Sequence, residues 1–435
     1  MSGSRFFTAL LFIFLLVPST RANAGEEQGS FLDRTGIDIH GFLDLRGGSR
    51  IREDDYQRDT SLLESRLQLD MSRAGDSFTL QVRADFIYDD VQEDTDLDLE
   101  EGTGYLDLRE ANLLFSPLDL IDVKIGRQIL TWGTGDLLFL NDLFPKDWQS
   151  FFIGRDEEYL KAPSDALLIS LFPDFANIDL VYMPRFDADR FISGERISYY
   201  HTTLGRLAGR DAIIDPLTPN DWLDDDEISL RISKNIKGYE LAFYGYHGFW
   251  KSPIGMDLIQ QKAFFPNLNV YGASLRGSLI KGLFHLEASY YDSKDDTSGD
   301  NPYIPNSEIR ILAGYEQELA KEFSAAVQYY LESMRHYETY QATLPPSVHP
   351  KDEERHLFTV RLTKLALNQN LTLSLFCFYS PSDQDAYFRP TVKYKISDSL
   401  MITLGGNIFT GDADYTFFGQ FEKNSNIYAG IRYSF

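Results

Sequence analysis

Cysteine is nearly missing from this sequence: Cys377 stands alone. One thiol excludes an internal disulfide framework, so stability has to come from backbone pairing and burial. Long apolar runs are missing too. Beyond residue 24 no stretch approaches the roughly 18 apolar residues that mark a membrane-spanning helix. There is no Pro/Ser/Gly-rich linker to divide the chain into the two or three domains expected of a soluble protein of this length. The seven histidines (40, 201, 247, 285, 336, 349 and 356) are scattered over separate segments. Neither Gly-x-Ser-x-Gly nor His-Glu-x-x-His occurs, so no catalytic site, metal centre or cofactor is expected. The short stretch 25–36 ahead of the first strand leaves no room for a plug domain of the kind a TonB-gated receptor carries.

Residues 1–24 are "MSGSRFFTALLFIFLLVPSTRANA". Arg5, the apolar run Phe6 to Val17 and Ala22-Asn23-Ala24 have the layout of a cleaved secretory signal peptide. The remainder, 25–435, reads as one domain. Phe (32) and Tyr (25) are abundant although acids outnumber bases 66 to 41. That combination suits strands of which only one face meets lipid.

Segments of about nine to twelve residues with alternating character recur along the chain, long enough to cross a bilayer as tilted strands. Eighteen are recognisable, from 37–46 through 77–88 and 268–279 to 426–435. Their connections alternate in length. Short ones such as 74–76, 116–119 and 281–282 trade places with long acidic ones such as 89–104, 130–164 and 185–226; only 380–385 breaks the pattern. The expected fold is all-β: a transmembrane, antiparallel, up-and-down barrel of about 18 strands (16–18). Turns would be periplasmic and long loops extracellular, in the outer membrane of a Gram-negative bacterium. The ending "NIYAGIRYSF" alternates to a terminal Phe435, which resembles the signal read by the barrel-assembly machinery.

Strand phase separates the two faces. In 77–88, Phe78, Leu80, Val82 and Phe86 point outward while Arg83 and Asp85 point inward. The same counting gives Arg66, Arg109, Glu110, Lys124, Arg231, Arg276, Arg310, Arg361, Arg389, Lys393 and Arg432 as pore-lining candidates. Aromatics near strand ends, among them Tyr105, Phe249, Tyr271, Tyr290, Tyr291, Tyr330, Tyr379 and Tyr387, read as interface girdles.

The loop 130–164 is too apolar to hang in water (Leu137, Leu138, Phe139, Leu140, Phe151, Phe152). The expectation is that it folds into the lumen as a constriction, the alternative being a cover across the mouth. Its candidates are Arg127, Trp132, Asp136, Lys146, Asp147, Trp148 and Arg155, with the bases Arg127, Lys146, Arg155 and Lys161 facing the acids Asp136, Asp142, Asp147, Glu157 and Glu158. Here the stretches "LREANLLF" (108–115), "DVKIGRQILTWGTGD" (122–136), "NDLFPKDW" (141–148) and "LKAPSDALLISLF" (160–172) resemble a poorly characterised outer-membrane porin-like family. More distantly they are similar to alginate-export-type porins, which are 18-stranded. Phe144-Pro145-Lys146-Asp147 stands where many relatives keep Asn-Pro-x-Asp. The resemblance implies diffusion or export of a solute.

The acidic stretch 89–101 holds eight carboxylates but lacks the glycine and terminal glutamate of an EF-hand loop. Taken together, the residues lead to a passive channel for a polar, anionic solute. Its partners would be outer-membrane lipid and lipopolysaccharide, the solute, and in a possible homo-oligomer other copies of itself, with no nucleic acid. The alternatives are a route for hydrophobic compounds or an occluded structural or adhesive barrel.

Overall fold

The computed structural model describes residues 36–92, 96–346 and 348–435. The signal peptide expected at 1–24 lies outside them, as do residues 93–95 of the acidic stretch. Asp38–Phe435 forms one compact unit.

Five strands open it: β1 (Asp38–Arg50), β2 (Thr60–Ala74), β3 (Phe78–Asp89), β4 (Leu106–Leu118) and β5 (Ile121–Gln128). A long segment carrying helix α1 (Trp148–Ile153) precedes β6 (Ser164–Leu171) and β7 (Asn177–Met183). The next loop holds a small hairpin, β8 (Tyr199–His201) with β9 (Arg206–Ala208). β10 (Glu227–Ile236) and β11 (Tyr239–Phe249) follow, then a second hairpin, β12 (Gly255–Asp257) with β13 (Lys262–Phe264). β14 (Asn267–Leu279), β15 (Gly282–Ser293), β16 (Glu308–Ala320) and β17 (Phe323–Met334) continue the ring. After helix α2 (Tyr337–Thr343) come β18 (Glu354–Ala366), β19 (Leu371–Ser380), β20 (Asp385–Lys395), β21 (Leu400–Gly411) and β22 (Asn426–Ser434).

Leaving out the two hairpins, eighteen strands pair antiparallel, each with its neighbour in sequence, and β22 returns to β1 from Phe42↔Ser434 to Arg50↔Asn426. Phe435 and Gly41 exchange both backbone hydrogen bonds at 3.0 Å across that seam. Closure removes every sheet edge, so no strand is left with a row of unmatched N–H and C=O groups. The connections sort as the sequence implies, with tight turns at one end and long loops at the other.

Alternation sets what faces where. In β10, Ile228 is 41% exposed on the outside whereas Glu227 is fully buried within. Register shifts interrupt four of the ladders, and one of them bears on the lumen. The β3–β4 register slips between Arg83 and Ala84, which pair with Glu110 and Leu108. Arg109 and Glu110 therefore both reach the interior, although neighbours in a regular strand cannot.

The interior is not uniformly wet. Leu312, Leu357, Phe376, Phe378, Tyr387 and Phe409 point inward from the wall and form a dry cluster with Phe151, Phe152 and Ile153 of α1. This corrects the girdle reading for Tyr387, Tyr291, Tyr330 and Phe249, all of which are buried inside. Tyr290 and Tyr291 illustrate the cause: adjacent residues of a strand must point opposite ways, and only one of the pair can face out.

Candidate functional site

The segment 129–163 leaves β5 and returns to β6 at paired positions, Gln128↔Ser164. Between them it makes its contacts with the inner wall. The turn at Gly133-Thr134-Gly135 wraps the Glu287 carboxylate of β15, which accepts from Thr134 N, Thr134 Oγ1 (2.8 Å) and Gly135 N (3.0 Å). Asp136 binds Gln328 of β17 through both backbone groups (2.8 and 2.9 Å). Its carboxylate receives a fork from Arg361 of β18 at 2.7 and 2.8 Å. Asn141 donates to Glu287 (2.8 Å) and accepts from Ser289 (2.7 Å). Gly272 of β14 permits this approach, since a Cβ there would sit 1.7 Å from Asn141 Oδ1.

Helix α1 begins because Asp147 caps it, accepting from Ser150 N and Ser150 Oγ at 2.7 Å each. It ends at Gly154, whose φ of +97° is the left-handed conformation glycine adopts without steric cost. A Cβ on Gly154 would also strike the Tyr428 ring. The turn that follows carries three acids toward the bases of the wall. Asp156 binds Arg46 (2.5 Å), Lys393 (2.8 Å) and Arg432 (2.5 Å). Glu157 meets Arg361 (3.1 Å) and Arg389 (3.6 Å), and Glu158 meets Arg432 (3.2 Å). Tyr159 lies beneath the Arg66 guanidinium, 4.2 Å from its ring centre. Arg109 donates to Lys161 O at 2.6 Å. A segment bonded at once to β1, β2, β4, β15, β17, β18, β20 and β22 has to lie inside the ring.

Burial works against the charge on Asp156, but Arg46, Arg432 and Lys393 together hold its pKa well below the usual carboxylate range. Burial raises the pKa of Asp136, with Arg361 opposing the rise.

The expected pairing within the segment is mostly replaced by pairing to other parts of the chain. Only Lys146–Asp142 (3.0 Å) forms among those acids and bases. Arg155 goes instead to Glu64 (2.5 Å) and Asp89 (3.3 Å). Arg127 bonds Asp165 (3.1 Å) and Leu108 O (2.7 Å). Asp147 meets Arg190 (3.5 Å), Trp148 donates to Asp189 (3.0 Å), and Trp132 packs edge-on against Phe144 (4.9 Å). Sequence reasoning missed the contribution of the loop 184–226. Its Arg190 also binds Asp107 (2.8 Å), and its Arg196 binds Asp89 (2.5 Å). No local signal marks these residues, because their partners come from distant strands.

Among the pore-lining candidates, most bases already hold an acid. Arg66 binds Asp85 (2.6 Å), Arg83 binds Asp70 (2.8 Å) and Glu110 (3.1 Å), and Lys124 meets Glu110 (3.6 Å). Arg231 binds Glu240 (2.7 Å) and Arg310 binds Glu308 (2.8 Å). The Arg276 side chain has no hydrogen bond or ion pair among the described residues. It borders a cavity of about 760 Å³ lined also by the bases Arg83, Arg109 and Lys161 and by the acids Glu110, Asp136, Glu157 and Glu158. A smaller recess of about 200 Å³ lies along β18–β21.

No family model matches the chain, and no curated protein sequence matches it. Among solved structures, OccAB1 of Acinetobacter baumannii matches 92% of this chain and 95% of its own, at 10% identity and a TM-score of 0.53. OccAB3 of the same organism matches 92% and 99%, at 10% identity and a TM-score of 0.55. At such identity the likeness extends to the fold: this chain is an eighteen-strand, porin-like barrel.

Proposed function

We propose that the chain is an outer-membrane channel through which a polar, anionic solute diffuses passively, narrowed by 129–163. The observation that carries this reading is the Arg276 side chain, which holds no acid although the 760 Å³ cavity it borders is lined by four bases and four acids. Unpaired positive charge in a confined space raises the local anion concentration, while the acids alongside keep binding weak enough for release. The fold supports an outer-membrane location; lipid and lipopolysaccharide against the outward face and insertion through the barrel-assembly machinery belong to the proposal. Association with other copies of the chain stays part of the proposal, as does the more distant alginate-export likeness. A second reading, an occluded barrel, is favoured by the dry cluster around Phe152.

Single-channel recording in planar bilayers separates the two. The channel predicts a steady, anion-biased current, and Arg276→Glu should move the reversal potential in a salt gradient toward cations. Silence under all voltages would favour the occluded barrel, and an unmoved reversal potential would remove Arg276 from the path.

A further inference from the structure

Two neighbouring tight turns repeat one tripeptide. Ile236-Lys237-Gly238 joins β10 to β11, and Ile280-Lys281-Gly282 joins β14 to β15. Because β11 pairs with β14, the turns stand side by side, two strand spacings or about 10 Å apart. The tripeptide sits one position later in the second hairpin. Ile236 pairs with Tyr239, which leaves Lys237 and Gly238 as the loop, with φ of 55° and 88°. A two-residue hairpin favours that conformation. Leu279 pairs with Gly282, so Ile280 and Lys281 form the second loop and Ile280 takes a φ of +57°. A β-branched residue is an outlier there, because its Cβ crowds the backbone. Ile280 is also 90% exposed. Its strain and its bare apolar surface both call for compensation from outside the chain.

The surroundings of the turns identify what covers them. The outward face of β10 carries Ile228, Leu230, Ile232 and Ile236, all exposed and interrupted only by Lys234, so the outer apolar surface runs down to the turn itself. Tyr239 packs over Gly277, where a Cβ would meet its ring, and lies 6.0 Å from Phe284. Tyr315 donates to Leu279 O at 3.2 Å. Tyrosines at the end of an apolar band mark the level of lipid headgroups. Charge agrees with that depth. The two tripeptides hold two lysines and no acid, in a chain whose net charge is −25. Neither lysine side chain has a hydrogen bond or ion pair among the described residues. An apolar residue with a free lysine beside it fits a phosphate lying above acyl chains.

We propose that these two turns clamp the headgroup of an anionic glycerophospholipid. Lys237 and Lys281 close on its phosphate from either side, and Ile236 and Ile280 enter the acyl boundary beneath it. On the outer-membrane reading the turns meet the periplasmic leaflet, which is built of phospholipid rather than lipopolysaccharide. The clamp rests on that location and is independent of conduction.

The test incubates the folded protein in detergent with equal amounts of dioleoyl phosphatidylglycerol, dioleoyl phosphatidylcholine and lipid A. Retained lipid is counted by native mass spectrometry. Phosphatidylglycerol should be retained about tenfold over phosphatidylcholine, and Lys237→Gln and Lys281→Gln should each cut that preference about fivefold. Ile280→Gly keeps the left-handed turn without a Cβ and should lower retention of both phospholipids by the same factor. Each variant is first checked for the heat-dependent gel shift of a folded barrel; should one lack it, the preference of the wild type among the three lipids carries the test. Equal retention of the two phospholipids overturns the clamp, as does a preference unchanged in folded Lys237→Gln/Lys281→Gln. An equal loss from Lys395→Gln, on a distant turn, overturns it too, because the charge would then act from anywhere on the rim. Lipid A retained ahead of phosphatidylglycerol through the same lysines would place the turns in the opposite leaflet and overturn it. Retention without single-channel current leaves the clamp and removes the channel; current without retention does the reverse.

Discussion

Asp156 shows how one carboxylate can hold a long segment in place. Three bases from three strands, Arg46 of β1, Lys393 of β20 and Arg432 of β22, converge on it. Replacing it by asparagine leaves three cations inside the barrel with their shared counter-charge gone. Removing one partner from a buried ionic cluster costs about 3–5 kcal/mol, so Asp156→Asn should lower unfolding stability by about 3 kcal/mol in a denaturant titration. The sign of its pH dependence follows from its depressed pKa. A carboxylate held below its unfolded value stabilises the fold above about pH 4, and that contribution fades only as the pH falls through the depressed folded value. The difference between wild type and Asp156→Asn should therefore stay constant from pH 8 to pH 5 and shrink only in stronger acid. A difference that shrinks near neutrality would contradict the three-base arrangement.

At the scale of elements, the segment 129–163 and the strand ladder are separable. The segment departs and returns where Gln128 and Ser164 already face each other, so a two-residue Asn-Gly turn can close the gap left by removing it. The ladder hydrogen bonds do not pass through the segment and should survive. Excision removes both the anchoring turn and the aromatic filling of Phe151 and Phe152. Conductance should rise several-fold while the gel shift of a folded barrel persists. Unchanged conductance in a folded excision variant would show that the segment does not narrow the path.

For the whole molecule, the distribution of apolar side chains inverts that of a soluble protein. Phe243 is 54% exposed near the middle of β11, and Ile232, Leu286, Ile311, Val327 and Leu404 share the outer surface. On the outer-membrane reading these residues meet acyl chains. An arginine at that depth costs about 2–4 kcal/mol in lipid, so Phe243→Arg should destabilise the barrel by that amount in bilayers. In detergent micelles, which adapt to the charge, the penalty should be smaller. Equal stability of Phe243→Arg and wild type in lipid would argue against a bilayer around this face.

The number of strands, their boundaries to within a few residues and the sorting of turns from long loops were legible in the sequence. Strand phase also singled out Arg66, Arg83, Arg361 and Arg389. These are period-two properties, written along each strand and independent of what lies across the barrel. The apolar character of 130–164 was equally plain, and it correctly indicated a segment that needs a partner. Only the tertiary structure decided which partner each charge takes. Arg361 and Asp136 are 225 residues apart and Arg432 and Asp156 are 276 apart, and no local pattern links such positions. The bulge that turns both Arg109 and Glu110 inward, and the aromatic cluster that makes part of the interior dry, likewise follow from ring closure. Alternation is a property of each strand, whereas ion-pair choice and packing in an enclosed interior depend on all eighteen strands and the segment they surround.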